Sequence, residues 1–204
     1  MIQIYGPAGS SAGRCYWTLE ETGVPYEAVP VDFRSGDHKK PEFLQLNPNG
    51  KVPVLKDGEL VLWESMAIDT YLCEKYQPEL LGKTLAEKAQ ILQWSFWALA
   101  DYQRPIIDVF IQKVFVPEDR RDAKVIEKGL EKLQPYNRLL NQHLASREYM
   151  VGSSFTLGDL HVASVAKICL AIGEDLSAFP ATLHWLQRML ERPAALQVAK
   201  LESK

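Results

Sequence analysis

The chain has 204 residues, of which 47% are hydrophobic and 24% charged, enough apolar material to pack a core without disulfide staples. Its formal net charge of −3 argues against the broad basic face that nucleic-acid binding requires. Three widely spaced cysteines, Cys15, Cys73 and Cys169, with no C-x-x-C among them, spell neither a zinc knuckle nor a dithiol redox pair and fit a reducing compartment.

The opening MIQIYGPAGS carries no basic region followed by an apolar run, so a signal peptide is not expected. No stretch of about 18 apolar residues is present, so no membrane span is expected and the reading is cytoplasmic. Ile2–Tyr5 reads as a strand, broken by Gly6-Pro7 and Gly9. A helix follows from about Ser11 to Thr22 and stops at Gly23, the residue type that ends helices in the left-handed region. Tyr26 to Val31 reads as a second strand. Strand, helix and strand within so short a span predict a parallel pair. Val52–Leu55 and Leu60–Trp63 read as two short strands joined through Asp57-Gly58, a strong hairpin signal. A helix follows over about Glu64–Tyr76. The predicted fold is a thioredoxin-like α/β domain, βαβ then ββα, over residues 1–77, a linker at 78–84, and an all-α bundle over 85–204.

In the second part Leu85, Ala89, Leu92, Phe96 and Leu99 recur at helical spacing, yet Ile91, Trp94 and Trp97 are apolar on the other faces. A helix apolar nearly all round is a buried bundle helix or also carries a subunit interface. Ile126, Leu130, Leu133, Leu140 and Leu144 mark another long helix, which Pro135 is expected to kink or divide. Two more helices are read at roughly 157–172 and 179–191, and Pro193 opens a last one. Thr156-Leu157-Gly158-Asp159 is a capping-box pattern with Asp in the place of Glu or Gln, assigned to folding.

Three segments carry chemistry. Gly9-Ser10-Ser11-Ala12-Gly13-Arg14 sits where a strand meets a helix start. Free N–H groups and the helix dipole stabilise a thiolate there, and a serine hydroxyl adds a hydrogen bond. Taken alone, Ser10 or Ser11 reads equally as a simple N-cap. The Val52-Pro53 bond, if cis, turns the Val52 amide and carbonyl away from the sheet toward an extended peptide ligand; otherwise Pro53 is an ordinary edge-strand proline. Glu64-Ser65 opens a helix. Its dipole suits a carboxylate at Ser65 and Glu64 suits an ammonium, the two groups of a γ-glutamyl end; a plain capping pair is the alternative. The histidines His38, His143, His161 and His184 are scattered, and none pairs at metal-ligand spacing, so no metal is expected.

In order along the chain, these segments read Gly-Ser-Ser-x-x-Arg at Gly9–Arg14, Asp-x-x-x-Gly-x-His-x-x-Pro-Glu-Phe-Leu at Asp32–Leu44, Asn-Pro-x-Gly-Lys-Val-Pro-x-Leu at Asn47–Leu55, Trp-Glu-Ser-x-Ala-Ile at Trp63–Ile68, and the capping motif at Thr156–Asp159. Together they resemble the cytosolic glutathione transferases over nearly the whole chain, with the serine-type theta and delta classes the closest look. The resemblance implies an enzyme that activates the glutathione thiol as a thiolate for attack on a small hydrophobic electrophile. A non-catalytic relative serving as a binding or regulatory protein is the other reading. It places thiol activation on Ser10, with Ser11 as the neighbouring choice and Tyr5 as a third. It gives Val52 and Pro53 the backbone clasp, Glu64 and Ser65 the γ-glutamyl end, and His38 and Lys51 the glycine carboxylate. The second substrate is expected between the two domains, against the helix holding Tyr102, Gln103, Ile106 and Phe110. A homodimer is also implied, with Trp94 or Trp97 covered on assembly. The sequence departs from the pattern at Met66, where a polar or basic residue is common, and at Ala12-Gly13 in place of Pro-Cys. Cys15 stands off the position for thiol chemistry, which argues against a cysteine-based reductase of the omega or beta type.

Overall fold

The computed structural model describes residues 1–203. By packing, the described residues form two compact units: residues 1–81 together with 192–203, and residues 82–191.

The first unit is built on a four-stranded sheet of order β2-β1-β3-β4. The strands are β1 (Ile2–Tyr5), β2 (Tyr26–Val29), β3 (Val54–Asp57) and β4 (Leu60–Trp63). β1 and β2 pair in parallel, Ile4 opposite Ala28, because the helix α1 (Ala12–Thr22) returns the chain to the same end of the sheet. β3 and β4 are a hairpin closed at Asp57-Gly58-Glu59, and Gly58 supplies the positive φ the turn requires. β3 starts two residues later than the apolar run suggests, because Val52 and Pro53 stay outside the ladder. Residues 41–46, which carry no clear helical period, form a short helix α2 (Pro41–Leu46) with proline at its first position. Phe43 of α2 is buried with Val31 and Val54, and Tyr5, Leu46, Val52 and Val61 pack around them. α3 (Ser65–Tyr76) packs against α1, and both contribute buried side chains: Cys15, Tyr16 and Leu19 from one, Ile68 and Leu72 from the other.

The last helix, α9 (Pro193–Glu202), belongs to this first unit. It buries Ala194, Ala195 and Val198 and packs on α1. At its start the Arg192 guanidinium grips Glu21 of α1 with two hydrogen bonds of 2.7 Å. The segment from Arg192 onward thus packs with the first unit, whereas the sequence reading groups it with the helical part. The reason is a bidentate ion pair and an apolar face that no local pattern announces. The stretch read as a linker also holds structure, since Pro78–Leu81 form a 3₁₀ turn that buries Leu80 and Leu81.

The second unit is all-helical: α4 (Leu85–Trp97), α5 (Gln103–Phe110), α6 (Ala123–Leu144), α7 (Leu157–Ala171) and α8 (Pro180–Leu190). α7 lies at its centre, with residues 157–166 all buried. The apolar stripe of α4 faces the other way from its sequence reading. Leu85, Leu92 and Phe96 are 87%, 45% and 60% exposed, while Ile91 and Ser95 are buried. α4 packs on α7 through that second face, where Ser95 Oγ bonds to the Ile91 carbonyl and lies 2.8 Å from His161 Nδ1. Beyond Trp97 the backbone widens into a π-helical turn over 98–102 before α5, and again over 111–115. Pro135 leaves α6 undivided, because Gly129, Leu133, Asn137, Leu140 and Leu144 keep one face buried along its length.

Candidate functional site

The C-terminal end of β1 leads into a loop, Gly6 to Ser11, and then into the first turn of α1. Gly6 has φ of 121°, a region that side chains avoid. A methyl group at Gly6 would come within 2.8 Å of Val52 Cβ. That absence of a side chain lets the Val52-Pro53 segment lie directly against the loop. The Tyr16 hydroxyl fixes the same point by donating to the Gly6 carbonyl at 3.0 Å.

Ser10 is held from both sides. Its Oγ donates to the Pro7 carbonyl at 2.7 Å and accepts from the Ala12 amide at 3.2 Å. Ser11 occupies the N-cap position of α1 and makes no side-chain capping bond. No acidic residue stands in the first turn of α1, so nothing there competes electrostatically with an anionic sulfur. Tyr5 turns its hydroxyl back along β1 to Gln3 Oε1, 3.3 Å away. Cys15 is fully buried, and burial beside Asp69 pushes its thiol well above the ordinary range.

The Val52–Pro53 bond is cis. The sheet register begins at Val54, opposite Tyr5, and neither the Val52 amide nor its carbonyl bonds within the described residues. The segment is braced from behind, where the Asn47 side chain donates to the Lys51 carbonyl at 2.7 Å. The Lys51 side chain is exposed. Its neighbour Gly50 abuts the His38 carbonyl, which a methyl group at Gly50 would approach to 2.9 Å. His38 stands edge-on to Phe33 with ring centroids 5.1 Å apart, and its Nδ1 is buried without a hydrogen bond. His38, Lys51, Val52 and the Ser10 loop thus form one continuous run.

At the start of α3, Glu64 has φ of 73° and is the one non-glycine residue with positive φ among the described residues. Such a conformation costs on the order of 1–3 kcal/mol and is retained at binding sites and turns. Glu64 is exposed and makes no side-chain capping bond. Ser65 is buried and accepts a hydrogen bond from Arg14 Nη1 at 3.2 Å. The first turn of α3, like that of α1, has no acidic residue. Arg14 links the two helix starts, and no reading of the sequence assigned it a partner.

Two of the residues expected against the second substrate lie elsewhere. Tyr102 and Ile106 are fully buried within the helical unit. The Tyr102 hydroxyl donates to Asn137 Oδ1 at 2.8 Å and lies 3.4 Å from Cys169 Sγ, and its ring stacks on Trp97. Both are core residues. Gln103 and Phe110 are half-buried, and only they keep any exposure for a ligand. Trp94 and Trp97 are half-buried, edge-to-face with each other at 5.2 Å, with Trp94 against His143. Among the described residues no cluster of three or more His, Cys, Asp or Glu side chains could hold a metal, and no helix is long and apolar enough to cross a membrane.

Residues 2–74 match the glutathione S-transferase N-terminal domain, and residues 105–193 match the glutathione S-transferase C-terminal domain. A probable glutathione S-transferase, GSTF2 of Oryza sativa subsp. japonica, is 36% identical over 98% of this chain and 96% of its own length. The glutathione S-transferase GstB of Escherichia coli (strain K12) is 31% identical over 98% of this chain and 99% of its own. Among solved structures, glutathione S-transferase-I bound with lactoylglutathione superposes with a TM-score of 0.91 at 35% identity, covering 98% of this chain and 99% of that one. The theta class glutathione S-transferase of Xanthomonas axonopodis pv. citri, with glutathione bound, gives 0.90 at 34% identity, over 96% of this chain and 95% of that one.

Proposed function

We propose, from the premise that this chain belongs to the glutathione S-transferase family, that it is a serine-type member in which Ser10 activates the thiol. The protein is a glutathione transferase: glutathione is its co-substrate, and the thiolate attacks an electrophile. The subclass and the residue roles are our own reading, and one observation carries it. The Ser10 hydroxyl sits at the start of α1, on the loop whose Gly6 lies against Val52, with the Ala12 N–H already donating to its oxygen.

A hydroxyl has one proton to give. In the structure that proton goes to the Pro7 carbonyl. Rotating it from Pro7 to a bound sulfur leaves the Ala12 N–H in place, and a hydroxyl that accepts such a bond is a better donor. The dipole of α1 adds to the effect, and both lower the thiol pKa. The Val52 amide and carbonyl take the peptide backbone of glutathione as an added strand would. Glu64 takes the γ-glutamyl ammonium, the Ser65 hydroxyl and the first-turn N–H groups take the α-carboxylate, and His38 and Lys51 face the glycine carboxylate. Gln103 and Phe110 contact the second substrate. Residues 1–77 act as the glutathione-binding domain, and the protein works in the cytoplasm as a homodimer. A theta- or delta-like assignment is supported by the theta class likeness and by the engagement of the Tyr5 hydroxyl with Gln3.

The test is a pair of variants. Ser10→Ala should raise the pKa of bound glutathione, followed by thiolate absorbance, and lower turnover about 10²-fold, the size of one stabilising donor. Ser11→Ala should do much less. Damage confined to Ser11→Ala moves the role by one residue, and an unchanged thiol pKa in both variants removes it from the loop.

A further inference from the structure

We propose that Arg14 is a positioning residue that fixes the Ser65 hydroxyl as a donor toward the α-carboxylate of the γ-glutamyl end. This rests on the reading of Ser65 given above and assigns a further residue to the binding of glutathione. Arg14 and Ser65 are 6% and 5% exposed. The guanidinium can only donate, and its Nη1 occupies one lone pair of Ser65 Oγ at 3.2 Å. The Ser65 proton cannot point at a cation, and no acceptor among the described residues takes it. The hydroxyl proton is therefore available to an acceptor on a ligand, and the charge behind it favours an anion.

The surroundings fit this role. Asp69, one turn along α3, is fully buried beside the guanidinium and balances its charge. The next residue of α1, Cys15, makes a second tie to Ser65, with its Sγ 3.8 Å from the Ser65 carbonyl. Two consecutive residues of one helix thus hold the first residue of another. A lysine would supply charge without the planar fork that fixes direction. The competing account is that Arg14 only staples α1 to α3.

Two ligands separate the accounts: glutathione, and the tripeptide whose first residue is 4-aminobutyrate in place of γ-glutamate, which lacks the α-carboxylate alone. Arg14→Met should weaken glutathione about tenfold, the size of one charge-assisted hydrogen bond, and change the analogue less than about twofold. In a Ser65→Ala background the same substitution should have almost no effect on either ligand. Equal weakening of both ligands, or a full effect without the Ser65 hydroxyl, overturns the proposal and leaves Arg14 a staple. If Ser65→Ala by itself leaves discrimination between the two ligands unchanged, the assignment of Ser65 fails first and takes Arg14 with it. Should Arg14→Met not fold because it strands Asp69, the Arg14→Met/Asp69→Asn variant removes both charges together. It is judged by the same selective loss.

Discussion

At the scale of single residues, the most heavily bonded side chain outside the binding region is Asp159. It is fully buried in the capping box of α7. It accepts from the Met150 amide at 2.8 Å, the Thr156 amide at 3.0 Å, the Thr156 hydroxyl at 3.1 Å and Trp185 Nε1 at 3.1 Å. Burial is the larger influence and pushes its carboxyl up to about 6, against about 3.9 in the unfolded chain. The folded state therefore holds a proton that the unfolded state releases first. Stability from this group is present below pH of about 4 and is lost as pH rises through about 6, by on the order of 3 kcal/mol. Urea unfolding across that range, compared with Asp159→Asn, should show the slope in the parent and a flatter profile in the variant; parallel profiles would count against it. The same scale shows what the sequence could and could not yield. Ser10, Val52-Pro53, Glu64 and Ser65 stood out because each lies in a short motif whose chemistry is local. The partner of Arg14 did not, because the bond spans 51 positions and a buried guanidinium has no sequence period.

At the scale of elements, strands were read well where a turn residue bounded them. β4 begins after Asp57-Gly58-Glu59 and ends where the sequence places it. Helices were read well in position and poorly in orientation. Leu85, Leu92 and Phe96 look like a core stripe, but α4 buries the face of Ile91 and Ser95 against α7, where Gly158 of α7 lies close to Ile91. Periodicity reveals that a face exists and is silent about which neighbour is close. α5 and α6 show the same principle in its strictest form. A methyl group at Gly129 of α6 would overlap Val109 Cγ2 of α5 and lie 3.3 Å from the Pro105 carbonyl. Gly129→Ala should therefore destabilise by about 1–3 kcal/mol through overpacking, although alanine is the better helix former by about 1 kcal/mol. Adding Val109→Ala should recover part of that loss in a double-mutant cycle. A stabilised Gly129→Ala single variant would show that the helices can separate at no cost.

At the scale of the whole molecule, the exposed stripe of α4 supports the homodimer we propose. Leu85, Leu92 and Phe96 recur along one side of a helix and are largely uncovered, and patches of that kind mark interfaces in soluble proteins. Trp94 and Trp97, one of which is expected to be covered on assembly, are half-buried in the single chain, where Trp97 also stacks on Tyr102. Sedimentation velocity at micromolar concentration should give twice the 23.1 kDa of one chain, and Phe96→Glu should weaken association at least tenfold without changing the helix content. A 23.1 kDa species throughout a dilution series, or a Phe96→Glu protein that still pairs, would remove α4 from the contact. The packing of α9 on α1 reaches into the order of synthesis. The sheet and its helices are translated early, yet the unit they belong to is completed by the α9 segment from Arg192 onward, translated much later. At ordinary elongation rates the nascent sheet waits roughly 6 to 25 s for that helix, with the Glu21 carboxylate and the outer face of α1 uncovered. Over that interval the new chain lacks a lid that it must itself still make, and this is when a chaperone would find α1 within reach.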